Sequence, residues 1–184
     1  MQNNPDINYH TGEFADRTVE SFGPLALTPP NAGAGYDDIF KVSHCVNCQW
    51  DDIEVRAGKQ RENALDLNRN SCGNLFRRLV LDAGEQGAIL VKGGSSNNTW
   101  DNVLIREVGS GHSDIMIGGY SGQSKAKSHN NRFHNIRRAD GQPIRVAWCF
   151  TRASKPVITG SKVKYQYGWS LVRTIAQEWS YLTA

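Results

Sequence analysis

The feature that most constrains the fold of this 184-residue chain is a set of short apolar segments that recur about every 25 residues. Apolar residues alternate with other residues over four or five positions in each segment, which is typical of a β-strand with one buried face. The segments are DIFKV (38–42), NALDL (63–67), GAILV (87–91), SDIMI (113–117), QPIRV (142–146) and WSLV (169–172). A helical repeat would need longer runs with a 3.6-residue period, so we expect stacked strands.

A second series of strands is predicted between the members of the first. In each, an aromatic residue precedes an aliphatic residue by three positions: Trp50/Ile53, Phe76/Leu79, Trp100/Val103 and Phe133/Ile136. Two strand types that alternate at one period predict a chain wound in coils, in which each strand bonds to its equivalent one coil later. Asn74, Asn98 and Asn131 lie two residues before the aromatic, and Cys48 takes that place in the first coil. Stacked asparagines can bond amide to amide, so we expect an internal Asn ladder.

These repeats resemble the right-handed parallel β-helix superfamily, which includes pectate-lyase-like enzymes and phage tailspikes. The resemblance covers residues 38–172, rests on the pattern of the fold, and identifies no single family. It implies an all-β, right-handed parallel β-helix of about six coils. Because the open ends of such a fold expose strand edges, we expect residues 1–37 to form an N-terminal arm or cap and residues 173–184 a C-terminal cap, all in one domain.

Composition limits the partners and cofactors that we expect. The sequence has neither an apolar run of membrane-spanning length nor the basic-then-apolar start of a secretory signal. We therefore expect no insertion into a membrane. The expected location is on a virion or outside the cell, reached without a secretory signal, and the alternative is the cytoplasm. The net charge is only +3 and the basic residues are scattered, which argues against a nucleic-acid partner.

The four cysteines do not form the dense framework of a small secreted domain. The motif CVNC (45–48) invites a zinc interpretation, but Cys72 and Cys149 lie singly and supply no second pair of ligands. We expect small buried thiols that fill corners of the fold, and neither a metal nor another cofactor.

The outward strand positions include apolar stripes. In the first series these positions are Lys41, Asp66, Leu90, Met116, Arg145 and Leu171, and in the second they are Glu54, Val80, Leu104, Arg137 and Lys164. Coils stack about 4.8 Å apart, so Val80 would contact Leu104, and Leu90 would contact Met116. Two explanations stay open. Either an arm or loop covers the stripes, or the five apolar positions Val80, Leu90, Leu104, Met116 and Leu171 form the interface of a homo-oligomer, with a trimer favoured by the resemblance to tailspikes.

Catalysis is the main alternative to binding. Members of the superfamily that cleave acidic polysaccharides place Asp, Arg or Lys along one outward face, and a glycosidase needs two carboxylates beside the scissile bond. The candidate carboxylates are Asp51, Asp52, Asp66, Asp82, Asp101 and Asp114, and the candidate charge neutralisers of a lyase are Arg137, Arg138 and Arg145. No two carboxylates recur at one outward position in adjacent coils. We therefore favour a non-catalytic protein.

The expected function is a carbohydrate-recognition or structural module, such as a viral or phage attachment or tail component, whose partner is a polysaccharide or surface glycan. Aromatic residues near the coil corners could stack on sugars or pack in a cap or the core: Tyr120, Trp148, Tyr165, Tyr167 and Trp169. The polar insertion at 122–131 is a candidate ligand-contacting loop. The alternative function is a polysaccharide lyase or glycoside hydrolase on the same fold.

Overall fold

The structure of the protein is a computed structural model. It describes residues 8–9, 25–27, 40–56, 63–82, 87–107, 113–118, 126–149 and 153–165. Over these ranges the chain is all-β, with fifteen strands and no helix, and its strand pairings are parallel. It follows that no helix capable of crossing a membrane is found in the described ranges.

The strands form two sheets. Sheet A has seven strands in the order β1 (Asn8–Tyr9), β3 (Phe40–Ser43), β6 (Asn63–Asn68), β9 (Gly87–Val91), β11 (Ile115–Ile117), β13 (Ile144–Trp148) and β15 (Val163–Tyr165). The main path of sheet B is β2 (Leu25–Leu27), β5 (Ile53–Arg56), β8 (Val80–Asp82), β10 (Thr99–Glu107), β12 (Arg132–Arg138) and β14 (Val157–Thr159). Two further strands of sheet B pair alongside this path, β4 (Gln49–Asp51) and β7 (Leu75–Arg77).

The chain alternates between the sheets, and each strand stacks on its equivalent one repeat earlier. In sheet A, Phe40 pairs with Leu65, Leu65 with Ile89, and Ile89 with Ile115. The residues predicted to point inward are all buried: Leu65, Leu67, Ile89, Val91, Ile115, Ile117, Ile144 and Val146. The predicted outward row of sheet B is also confirmed, since Glu54, Val80, Leu104 and Arg137 pair in turn across adjacent strands. The two predicted series of parallel strands are therefore present.

The register departs from the prediction after β11. The prediction places Arg145 beside Met116, whereas the structure pairs Met116 with Ala147 and Ile117 with Trp148. Arg145 instead pairs with Lys164 of β15. A slip of two residues leaves the same side chains on the same face, so alternation alone cannot detect it.

The strands nearest the two ends also differ from the prediction. Lys164, predicted in the second series, lies in sheet A, and the sheet B neighbour of β12 is β14, which the sequence did not reveal. Near the N-terminus, β1 pairs with β3 and β2 pairs with β5, so the predicted arm adds a strand to each sheet. The segment WSLV (169–172) and the predicted cap at 173–184 lie outside the described residues.

Stacked aromatic rings fill the interior between the sheets. Trp50, Phe76, Trp100 and Phe133 come from successive repeats, and their planes lie within 9° of parallel. The ring centroids are separated by 6.3, 5.1 and 4.5 Å along the stack. Offset stacking at these spacings adds to the apolar burial of each ring. The aromatic residue that marks each repeat in the sequence thus forms part of the core.

A row of left-handed backbone positions explains why the aromatic residue and the aliphatic residue three positions later both face inward. Strict alternation would turn Val103 away from the side of Trp100, but Asn102 between them has φ +56° and kinks the strand. Equivalent positions in the other repeats share this conformation: Asp52 (φ 55°), Arg78 (φ 53°), Asn135 (φ 52°) and Gly160 (φ 64°). The kink is therefore a repeated element of sheet B.

The predicted Asn ladder is confirmed. The side-chain Nδ2 of Asn74 donates to Oδ1 of Asn98 at 2.9 Å, and Nδ2 of Asn98 donates to Oδ1 of Asn131 at 3.1 Å. All three residues are buried. At the first rung the backbone N of Cys48 donates to Oδ1 of Asn74 at 2.9 Å, so Cys48 ends the ladder as its position in the repeat predicts.

The CVNC motif differs from the prediction of buried thiols, because Cys45 and Cys48 form a disulfide. Nδ2 of Asn74 also donates to the backbone O of Cys45 at 2.9 Å, so one Asn side chain bonds to both ends of this short loop. Cys72 and Cys149 are not disulfide-bonded. The disulfide thus fixes the corner at which the Asn ladder ends.

Candidate functional site

Asp66, a candidate catalytic carboxylate predicted to face solvent, is fully buried. Its Oδ2 lies 2.9 Å from Nζ of Lys92 and 3.9 Å from Nζ of Lys41, and it accepts a hydrogen bond of 2.8 Å from Nδ2 of Asn68. A buried carboxylate held by these partners is inaccessible to a polymer. The expected outward, solvent-facing position of Asp66 is therefore wrong, and its ion pairs with Lys92 and Lys41 give it a structural role.

Asp82, the second candidate, belongs to an ion-pair network on the outer face of sheet B. Nε of Arg106 lies 2.5 Å from its Oδ1, and Nη2 of Arg106 also donates to Glu54. Hydrogen bonds from Arg56 and then Arg106 lower the pKa of Glu54. Glu54 is thus held ionised, which is the opposite of what a proton-donating acid requires.

Asp51 and Asp52 show the same pairing on neighbouring positions. Arg77 donates to both oxygens of Asp51 at 2.8 and 2.6 Å, and Arg78 donates to both oxygens of Asp52 at 2.6 and 2.8 Å. These bidentate bonds lower the pKa of each carboxyl group. Both carboxylates are therefore charge-compensated anions on the surface.

Of the predicted aromatic binding residues, the structure describes Trp148 and Tyr165, which pack against each other. Trp148 is only 8% exposed and belongs to the core, where its ring meets that of Tyr165 edge-on at 5.7 Å. Nζ of Lys155 lies 4.5 Å from the centroid of the Tyr165 ring. Tyr120, Tyr167 and Trp169 lie outside the described residues. The burial of Trp148 leaves little of its ring for stacking on a sugar.

Two of the five apolar residues predicted as an oligomer interface, Leu90 and Met116, are buried within the chain. Leu90 and Met116 do neighbour each other on the outer side of sheet A, but they are 0% and 1% exposed, so they offer no surface to a partner. Val80 and Leu104 are half-buried neighbours on sheet B. Leu171 lies outside the described residues. Of the two explanations for the stripes, coverage within the chain applies to Leu90 and Met116.

An open groove lies where two adjacent repeats cross from sheet B to sheet A. The end of β12 and the turn after it form one wall, and residues 160–162 after β14 form the other. Its volume is about 260 Å³, and its lining residues include Arg137, Arg138, Gly141, Gln142, Ser161 and Lys162. Three of these carry positive charge, so the groove joins concave shape to a cationic surface.

A buried carboxylate supports one side of this groove. Asp114 is fully buried, and its Oδ2 accepts a hydrogen bond of 2.7 Å from the backbone N of Arg145. Nη2 of Arg145 lies 3.2 Å from Oδ1 of Asp114, and Nη1 of Arg138 lies 3.3 Å from Oδ2. The structure thus brings together three candidate residues from different segments, although the sequence predicted Arg145 two residues out of register with β11.

Asp140 holds the same arginine from the solvent side. Nη2 of Arg138 lies 2.6 Å from Oδ2 of Asp140, and this pairing lowers the pKa of Asp140 and raises that of Arg138. Arg137 and Lys162 are exposed, and no described residue forms an ion pair with either. Arg138 is therefore fixed and compensated, whereas Arg137 and Lys162 are available to a ligand.

Only part of this groove is predicted from the sequence. The sequence offers Arg137, Arg138 and Arg145 as candidate charge neutralisers, but Lys162 belongs to no recognisable motif. The pairing of β12 with β14 brings the Lys162 segment against the Arg137 segment. The sequence does not predict this pairing, because β14 has Ile158 beside Phe133 where the repeat would have an aromatic residue. Elsewhere, no group of three or more His, Cys, Asp or Glu residues in the described ranges could hold a metal ion.

Comparison with known proteins identifies neither a family nor a function for the chain. No protein-family model matches the chain, and neither the curated proteins nor the solved structures contain a significant match. The function is therefore argued from the groove and its charges.

Proposed function

We propose that the chain is a right-handed parallel β-helix of about six coils that recognises carbohydrate without cleaving it. Three features support the coiled architecture: the alternation of strands between two parallel sheets, the Asn ladder and the stack of aromatic rings. Each of them joins residues one repeat apart, as neighbouring coils of a solenoid require.

The observation that carries the recognition function is the groove beside β12. It is open, concave and lined by polar and charged side chains on rigid strand ends, which suits it to a hydrophilic polymer such as a polysaccharide or surface glycan. The surface carboxylates Asp51, Asp52, Glu54 and Asp140 are paired with arginine and have lowered pKa values. None of these four supplies the protonated acid that glycoside hydrolysis needs.

The resemblance to phage tailspikes extends the proposal to a viral or phage attachment or tail component. A location on a virion, or outside the cell by another route, suits such a component, and a cytoplasmic location is the alternative. Val80 and Leu104 remain the candidate contacts of a homo-oligomer, with a trimer favoured. Nucleic acid is not the proposed partner, because the described arginines of the strands are largely matched by carboxylates.

A glycan array probed with the full chain tests the recognition function, and light scattering gives the mass of the particle in solution. We expect binding to a limited set of glycans, with signal lost when the groove variant Arg137→Gln is used. Lys127→Gln, an exposed change outside the groove lining, is the matched control and should bind like the wild type. Silence of the wild-type chain on a broad array would overturn the proposal.

A polysaccharide lyase or hydrolase is the second candidate, and the Asp114–Arg138–Arg145 cluster beside the groove favours it. Arginines close to a bound acidic sugar could neutralise its carboxylate during β-elimination. A screen of acidic and neutral polysaccharides for new reducing ends or unsaturated products separates the candidates. Either kind of product, formed by the wild-type chain, would replace recognition by catalysis.

A further inference from the structure

We infer that the groove beside β12 binds an anionic group on the glycan, a carboxylate or a sulfate ester, through Arg137 and Lys162. The inference rests on the proposed carbohydrate recognition and names the class of sugar. Both proposals concern the same groove. The experiment below includes inorganic sulfate, which contains no sugar, so the anion site and carbohydrate recognition can be rejected separately.

The charges around the groove leave a positive excess on its open side. Asp114 and Asp140 both pair with Arg138, at 3.3 and 2.6 Å, and Asp114 also pairs with Arg145. Among the described residues these two carboxylates are the ones that contact the arginines of the groove. Their negative charge is directed to Arg138 and Arg145, so it does not compensate Arg137 and Lys162. An anion entering the groove would therefore meet two cations without displacing an ion pair between described residues.

The shape of the groove admits a ligand at the same place. A Cβ atom added at Gly141 would meet no atom within 4 Å, so the space above this residue is open. The position has φ +70°, which Asn and Asp tolerate better than other side chains. Gly141 is therefore a position in the groove lining where a Cβ atom meets no clash and a charged side chain can be introduced.

The described lining argues against a site built for a neutral sugar. Neutral sugars are commonly held by stacking on aromatic rings, and no aromatic side chain is present in the described lining of this groove. Arginine offers paired N–H donors that match carboxylate and sulfate oxygens, and lysine supplies a compact charge beside it. These groups together select for an anion.

Gly141→Asp and Gly141→Asn form the matched pair that tests this inference. They differ by one charge at nearly constant size, and both suit the backbone. Both variants and wild type are tested with two kinds of ligand. NMR titration measures the binding of inorganic sulfate, and calorimetry measures the binding of sulfated, carboxylated and neutral oligosaccharides of equal length. We expect wild type to bind sulfate and the anionic sugars, and Gly141→Asp to bind them at least about tenfold more weakly than Gly141→Asn, the reference of equal size.

Lys162→Gln gives a second test if Gly141→Asp does not fold, because Lys162 is exposed and makes no described ion pair. It should also weaken the anionic ligands about tenfold, whereas Lys127→Gln should not. Equal binding of neutral and anionic sugars, or no difference between Gly141→Asp and Gly141→Asn, would overturn the inference while leaving carbohydrate recognition intact. Sulfate binding at the groove with no sugar bound at all would instead reject the proposed function and keep the anion site.

Discussion

Asn98 donates its side-chain Nδ2–H to Oδ1 of Asn131 at 3.1 Å, and the two residues, 33 positions apart in sequence, occupy the same place in adjacent repeats. Oδ1 of Asn98 also accepts from both the backbone N and the Nδ2 of Asn74. One buried amide therefore joins three successive repeats. Its four hydrogen bonds include a further donation to the backbone O of Ser71 at 3.1 Å.

Asn98→Ala should destabilise the fold strongly, because it leaves the partners of this amide buried and unsatisfied. We expect the free energy of unfolding to fall by about 3 kcal/mol or more, measured by urea denaturation. Asn102→Gly is the control, since Asn102 is exposed and its φ of +56° suits glycine; that change should stay within about 1 kcal/mol. A loss at position 98 no larger than that of the control would contradict a stabilising ladder.

Trp100 lies at the centre of the aromatic stack, with Phe76 at 5.1 Å and Phe133 at 4.5 Å. Trp100→Ala should cost about 4 kcal/mol through the cavity that it leaves. Trp100→Phe keeps a stacked ring and removes an indole N–H that is buried with no described hydrogen-bond partner, so its cost should be about 1.5 kcal/mol or less. Equal losses for the two variants in thermal or urea unfolding would show that ring stacking is unimportant.

Gly160 occupies the row of left-handed positions, with φ +64°, and a Cβ atom there would clash with Oδ1 of Asn135. Gly160→Ala should therefore lower the free energy of unfolding by about 2 kcal/mol or more. In an Asn135→Gly background the clash disappears and a cost of about 1 kcal/mol from the backbone should remain. A double-mutant cycle measures this difference, and strict additivity of the two changes would argue against the contact.

Acid should weaken the fold through the paired carboxylates of sheet B. The pKa values of Asp51 and Glu54 are lowered from 3.8 and 4.5 by their arginine partners. Carboxyl groups with a lower pKa in the folded state stabilise it above their unfolded pKa, and this contribution is lost as the pH falls through the folded value. We expect the urea midpoint to be steady between about pH 7 and 5 and to decrease below about pH 4.5.

Asp51→Asn isolates one of these pairs. The variant should be less stable than wild type near neutral pH, and the difference should shrink as the pH falls below 3.8 and through the lowered pKa of the wild-type carboxyl group, because that group then takes up a proton. The effect is modest because the pair is close to solvent and screened by salt. A difference between the two proteins that does not change with pH would exclude an ionic origin.

Sequence periodicity predicted the strands that carry strong apolar or aromatic signals and failed where those signals end. The parallel register from Val42 to Ile117 follows from alternation and a regular spacing. At β13 three inward residues, Ile144, Val146 and Trp148, fit either of two registers that differ by two residues, and only the three-dimensional contacts choose between them.

The sequence also does not predict which residues on the outer side of the sheets are buried. Alternation gives the face on which Leu90 or Asp66 lies, but not whether another part of the chain covers that face. Both residues are fully buried, so a predicted interface position and a predicted surface acid turned out to be internal. The groove depends on this same kind of information, because Arg137 and Lys162 come together through the pairing of short strands with weak sequence signals.

Calorimetry with an anionic oligosaccharide, and then mass spectrometry of the recovered ligand, tests whether the groove beside β12 binds an acidic glycan without cleaving it. We expect saturable binding that weakens with added salt and is reduced by Arg137→Gln, and we expect the oligosaccharide to be recovered intact after long incubation. Recovery of shortened or unsaturated products would contradict recognition without cleavage. Binding that is unaffected by Arg137→Gln would contradict the groove beside β12 as its site.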